Sequence, residues 1–244
     1  MRVIIYVEGP SDQKALEALL RPIIDAGSKK KMGISFSPQR GKAAILEDVP
    51  RKAADHVQQH PEDWVFALPD LYPMASYEGD NRHRSFGDLC RLLQDRFKVR
   101  ADKLDLSEDA RRHFRVHCLK HDLEALLLAA PDVLRQRLKT TDALRDGWRR
   151  PVEDQNDDKP PKRVVEDLFR KYRKRAGYVD TSDAVWILER ASLVDIEAAC
   201  AQRFAPFARE LRALVEHGDP EGPASRAVRP PQPGAGTSSS TTTS

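Results

Sequence analysis

The stretch Met1-Arg-Val-Ile-Ile-Tyr-Val-Glu-Gly-Pro-Ser-Asp12 decides how the rest of the chain is read. Val3, Ile4, Ile5, Tyr6 and Val7 are β-branched or aromatic, as in a strand buried on both faces. The run stops at an acid, Glu8, followed by Gly9 and Pro10. Ser11 is a suitable N-cap, and Leu16, Leu19 and Leu20 then recur at helical spacing. Glu8 is therefore placed at the C-terminal tip of a first strand, where open α/β sheets carry their chemistry. Asp12 follows one helical turn later and can face the same way. Each acid also has a plainer reading, as a turn residue or as a first-turn acid favoured by the helix dipole.

Working outward, the first helix is expected from about 11 to 25, with Pro22 kinking or ending it. Ile34-Ser-Phe-Ser-Pro38 alternates apolar and polar residues and reads as a second strand closed by its proline. Gly41-Lys42 opens a helix with Ile45, Val49 and Ala53 on one face. Trp64-Val-Phe-Ala-Leu-Pro-Asp70 is another buried strand that ends in an acid. The stretch 77–84 is polar and loop-like, and an amphipathic helix is expected over 86–97. Phe114-Arg-Val-His-Cys-Leu119 is a further strand candidate. It leads into Lys120-His-Asp-Leu-Glu124 and the apolar helix Ala125-Leu-Leu-Leu-Ala-Ala130. Strands alternating with helices predict an α/β fold, a mostly parallel sheet with helices on both faces.

Three strand ends thus deliver acids: Glu8 with Asp12, then Asp70, then Asp122 with Glu124. In a parallel sheet those ends share one edge, so the acids can converge. Convergent carboxylates repel, and a hard divalent cation with oxygen ligands is the usual way to hold them together. His121 and Glu124 are three apart and can share a helix face, although His121 can equally cap or pack, and Asp122 can itself be a cap.

From residue 131 the pattern is helical and more basic, with a loop at 156–161 and helices expected over 163–172 and 193–215. The run Arg170-Lys-Tyr-Arg-Lys-Arg175 suits contact with a nucleic-acid backbone, and equally a solvated helix face. Lys162 and Arg163, after Pro160-Pro161, can contact phosphate. From Gly218 the composition turns to Pro, Gly, Ser and Thr, which cannot bury enough apolar surface to offset ordering entropy. The chain is therefore divided into a core at 1–130, a helical basic portion at 131–217 packed on it, and a disordered tail at 218–244.

Composition narrows the class. The 244 residues are 40% hydrophobic, enough for a sizeable core, and the net charge of +3 is too small to identify a nucleic-acid binder. Cys90, Cys118 and Cys200 are far apart and contain no CxxC, which argues against a disulfide framework and a structural zinc site. No apolar run approaches the roughly 20 residues of a membrane span, and the start is too short for a signal peptide, so a cytoplasmic protein is expected. The Gly-x-x-x-x-Gly-Lys-Ser/Thr phosphate loop is missing from the sequence, so ATP hydrolysis through one is not expected.

Val7-Glu-Gly-Pro-Ser-Asp12, the strand-ending Asp70 and the parallel sheet resemble the toprim domain of topoisomerases, primases and overcoming-lysogenization-defect (OLD) nucleases. The chain is also similar, over about 2–215, to small bacterial toprim-like proteins of domain-of-unknown-function family 4276. That similarity rests on the first motif, Asp70-Leu-Tyr72, His121-Asp-Leu-Glu124, and Lys162-Arg163 after the proline loop. The resemblance implies a Mg²⁺- or Mn²⁺-dependent nuclease or phosphodiesterase, with Glu8, Asp12, Asp70, Asp122 and Glu124 around the metal. Glu8, Asp70, Glu124 and Lys162 are its candidate catalytic residues. Glu8 serves as ligand or as acid or base, and Lys162 or Arg163 offsets charge on the phosphoryl oxygens. Arg163, Arg170, Lys171, Arg173, Lys174 and Arg175 would join Lys162 in tracking DNA or RNA. Family members often neighbour an ABC- or AAA-type ATPase in phage-defence settings. Tyr72 stands where toprim domains have a second aspartate, so either a single metal is bound or Asp122 and Glu124 supply the missing oxygens. The rival reading is a non-catalytic subunit that binds nucleic acid or nucleotide and regulates an ATPase.

Overall fold

The computed structural model describes residues 1–72, 81–144, 147–155, 159–173 and 176–218. Residues 77–80 of the polar loop, 156–158, Lys174, Arg175 and the tail from 219 lie outside these. Among the described residues four strands, β1 (Arg2–Val7), β2 (Gly33–Pro38), β3 (Trp64–Ala67) and β4 (Phe114–Val116), form a parallel sheet in the order β2-β1-β3-β4. The two central strands, β1 and β3, are the most apolar of the four, as burial from both sides requires. In β3 all four residues are buried. Pro38 ends β2 at the sheet edge, where its missing N–H leaves no ladder bond unmade. A single parallel bridge joins Asp70 to Leu119 beyond the ends of β3 and β4.

The period of two along each strand sorts side chains into two cores. Val3, Ile5, Val7 and Phe66 face α1 (Pro10–Leu19), α2 (Arg21–Lys29) and the helices that follow β4. Those are α6 (Glu124–Leu128), α7 (Pro131–Leu138), α8 (Pro161–Arg173), α9 (Val185–Leu188), α10 (Leu193–Ala199) and α11 (Phe204–His217). Val65, Ala67 and Phe114 face α3 (Lys42–Gln59), α4 (Phe86–Lys103) and α5 (Glu108–Arg111) on the other side. The α/β fold with helices on both faces is as expected. The later helices are built into the first core, with Phe207 of α11 edge-on to Phe66 of β3 at 6.1 Å.

Local boundaries differ from the sequence reading for identifiable reasons. Gly9, in extended conformation, is the N-cap of α1 in place of Ser11. Pro10 needs no N–H partner at the first helical position, and the Asp12 carboxylate accepts the Gly9 N–H at 2.9 Å. The helix expected over 11–25 divides at Leu20, because Pro22 cannot continue the hydrogen-bond ladder but is accommodated at the start of α2. Asp122 is not a side-chain cap of α6, whose N-cap is Leu123, and His121 precedes that helix, so the shared helix face with Glu124 does not form.

The entry to α11 is held by a residue that no local pattern signals. Glu153, 2% exposed, accepts the N–H groups of Gln202, Arg203 and Phe204 at 2.6, 2.9 and 3.1 Å. A carboxylate here satisfies the free donors of a helix start and meets the positive end of its dipole. Removing it strands three N–H groups, so Glu153→Ala is expected to lower unfolding stability by about 3 kcal/mol in urea titrations. Glu153→Gln, which keeps one acceptor, should lose less.

Candidate metal centre

The C-terminal edge of the sheet is where the acids meet. Glu8 follows β1 directly, and its Oε1 accepts the backbone N–H of Asp70 at 2.9 Å. That bond joins the tips of β1 and β3. Asp70 is carried next to the Leu119–Asp122 turn by its bridge to Leu119 and by the Tyr72 N–H, which donates to the Lys120 carbonyl at 3.2 Å. Asp122 then accepts the Lys162 N–H at 3.2 Å, which brings the start of α8 to the same edge. The result is a cavity of about 240 Å³ walled by Glu8, Asp12, Asp70, Asp122, Glu124, Asp180 and Lys162. All five carboxylates singled out in the sequence, and Lys162, are therefore brought together. Larger cavities of about 500 and 510 Å³ lie elsewhere among the helices, one largely apolar and one with mixed charges.

Among the described residues, six carboxylates face one lysine around this cavity. Burial raises the pKa of Glu8, with the Asp70 N–H and the Lys42 charge working against the rise. Asp12 is pushed up to about 6 by burial and by Glu8. Burial and the charges of Glu8, Asp12, Asp122 and Glu124 hold Asp70 well above the usual range. Asp122 is pushed up to about 7 by burial and by Glu124, and Glu124 is raised chiefly by burial. The cluster is thus short of positive charge.

Its chemistry fits a hard divalent cation. The donors are all carboxylate oxygens, the set Mg²⁺ or Mn²⁺ prefers. Glu8, Asp12 and Asp122 each have one oxygen fixed by a backbone N–H. The other oxygen of Asp122, Oδ1, is buried and has no hydrogen-bond partner. Among the described residues no three His, Cys, Asp or Glu side chains already stand as a coordination group. Gathering three onto one ion therefore requires the side chains to turn inward.

Other candidate residues sit off this cavity. Tyr72 and His121 stack on each other, with ring centroids 4.9 Å apart, and neither lines the cavity. Arg163 lies on the exposed side of α8, 3.9 Å from Glu166 and 3.8 Å from Asp167. Arg170 bonds to Asp167 at 2.7 Å, and Lys171 lies over the Tyr172 ring. Arg173 is drawn inward to within 3.7 Å of Asp183, a buried acid that Arg137 also grips at 2.6 Å.

Three neighbours of these acids were not visible in the sequence. Asp180 reaches the cavity from a π-helical turn, Asp180–Ala184, and stands 3.9 Å from Lys162 Nζ. The buried Tyr178 hydroxyl lies beside Glu124 but falls short of standard hydrogen-bond geometry. Lys42 is 4% exposed, and its Nζ donates to the Leu71 carbonyl at 2.8 Å. Only Gly41-Lys42 carried a hint, read as a helix opening; the other two depend on where the C-terminal chain folds back.

Comparison with known proteins comes to two findings. A family model described as "Domain of unknown function (DUF4276)" matches residues 7–212. A solved structure of the C-terminal region of the OLD protein of Xanthomonas campestris pv. campestris is similar at 17% identity, covering 88% of this chain and 94% of that one. Its TM-score is 0.37, so fold and site rest on the geometry above. No curated protein matches the chain.

The raised carboxyls give a pH signature. A carboxyl whose folded pKa exceeds its unfolded value favours folding most at low pH, and that advantage is lost as pH rises through the folded value. For Asp122 the window runs from its ordinary 3.8 to about 7. In EDTA, Asp122→Asn should melt higher than wild type at pH 8, with the gain vanishing by about pH 4 in calorimetry. Adding Mn²⁺ at pH 8 should remove or reverse the gain.

Proposed function

The chain belongs to the DUF4276 family, and from its carboxylate cavity we propose a divalent-metal-dependent phosphodiesterase of toprim type that acts on nucleic acid. The observation that carries this reading is six acids gathered at one sheet edge, with Asp122 Oδ1 buried and unpartnered. Repulsion among buried carboxylates is costly unless a cation balances it. Glu8, Asp12 and Asp70 would hold Mg²⁺ or Mn²⁺, with Asp122 and Glu124 completing the oxygen set. A bound ion of this kind supplies polarisation of a phosphoryl group and acidification of a water molecule.

The remaining chemistry belongs to side chains. Glu8, raised by burial, is placed to hold or accept a proton at the cavity wall. Lys162 is 47% exposed at the cavity, positioned to meet negative charge on a phosphate. Arg163 and Arg170 extend a cationic surface along α8. Their ion pairs are exposed and weak, so a phosphate backbone can compete for them. Arg173, turned toward Asp183, is less available for that role. An ATPase partner and a phage-defence setting rest on the family resemblance alone.

A regulatory, non-catalytic subunit is the second reading. It is favoured by the lack of a ready-made coordination group among the described residues and by Tyr72, packed on His121. Incubation with labelled DNA and RNA distinguishes the two. The phosphodiesterase reading predicts Mg²⁺- or Mn²⁺-dependent cleavage, abolished by EDTA and lowered about a hundredfold or more by Glu8→Ala or Asp70→Ala. Cleavage that survives both substitutions contradicts it.

A further inference from the structure

Lys42 is the first residue of α3, buried behind the cavity and not part of its wall. Two adjacent residues at this helix start clasp two strand tips. Gly41, held at φ +88°, donates its N–H to the Glu8 carbonyl at 2.9 Å. Lys42 Nζ donates to the Leu71 carbonyl at 2.8 Å, next to Asp70. Burial lowers the pKa of Lys42, and the nearby Glu8 and Asp70 carboxylates, themselves tied by the Asp70 N–H to Glu8 Oε1 bond, oppose that fall.

A buried ammonium is costly in an apolar setting, and it persists where fixed anions balance it. Lys162 lies at the cavity and is half exposed, so solvent or a bound anion can reach it. Lys42 is shielded from both. His83 also approaches the Leu71 carbonyl, at 3.4 Å, so that oxygen keeps a second neighbour if the lysine is removed. The distinctive contribution of Lys42 is therefore its charge.

We propose that Lys42 is a positioning residue, a fixed internal counter-cation that holds the Glu8–Asp70 pair in register before any soluble cation binds. This deepens the metal-site reading, and it rests on that reading only for the purpose it assigns to the pair. The site then has two sources of positive charge, one built into the fold and one exchangeable.

A double-mutant cycle in EDTA at pH 8 tests the coupling through urea unfolding of wild type, Lys42→Met, Glu8→Gln and the double variant. The expected result is that Lys42→Met lowers the folding constant at least about tenfold more in wild type than in Glu8→Gln. Lys42→Arg, which keeps the charge, should recover part of the loss. If Lys42→Met alone does not fold, the double variant should fold. Equal losses in both backgrounds, or a double variant that also fails to fold, overturn the proposal and leave Lys42 as a packing residue. A parallel Mn²⁺ titration of wild type separates the two claims: failure to bind Mn²⁺ sinks the metal reading while the cycle still decides the role of Lys42.

Discussion

The bond from the Asp70 N–H to Glu8 Oε1 sets the terms for the sheet edge. It links the tips of β1 and β3 through a carboxylate whose burial raises its pKa and whose neighbours are mostly acids. Parallel pairing is what makes this arrangement unavoidable. Once β1, β3 and β4 run the same way, every acid placed just beyond a strand arrives at the same edge. The fold therefore concentrates negative charge, and much of the local structure serves to contain it. Backbone N–H groups fix one oxygen each on Glu8, Asp12 and Asp122, Lys42 supplies charge from behind, and Lys162 supplies it at the cavity.

The C-terminal half completes this edge and does more than cover the sheet. Lys162 and Asp180 both come from beyond residue 160, and their positions depend on buried polar anchors. Asp183 is gripped by Arg137 and accepts the Val179 N–H at 2.8 Å, which pins the π-helical turn that presents Asp180. Turns of this type are frequent at functional sites. Glu153 anchors the start of α11 in the same way. The C-terminal basic run is therefore divided: Arg173 serves the interior, while Arg163 and Arg170 remain at the surface.

Much of this was legible because it depends on short-range pattern. Val3 to Val7 and Trp64 to Ala67 declare buried strands by composition, and the acid after each strand declares itself by position. The α/β class and the convergence of Glu8, Asp12, Asp70, Asp122 and Glu124 follow from those two signals. Other features depend on partners far away in sequence. Glu153 looks like one more charged residue until Gln202 to Phe204 fold onto it. Lys42 looks like a helix opener until Leu71 and the two strand tips surround it. Even locally, Ser11 was the better cap by propensity, yet Pro10 after Gly9 and the reach of Asp12 back to the Gly9 N–H moved the helix start two residues earlier.

The central claim is that these carboxylates form one cation site, and anomalous diffraction from crystals soaked in Mn²⁺ tests it most directly. The account predicts a manganese peak inside the cavity, bound at about 2.1–2.2 Å by oxygens of Glu8, Asp70 and at least one of Asp12, Asp122 or Glu124. An empty cavity at saturating Mn²⁺, or manganese bound only at other surface acids, would contradict it.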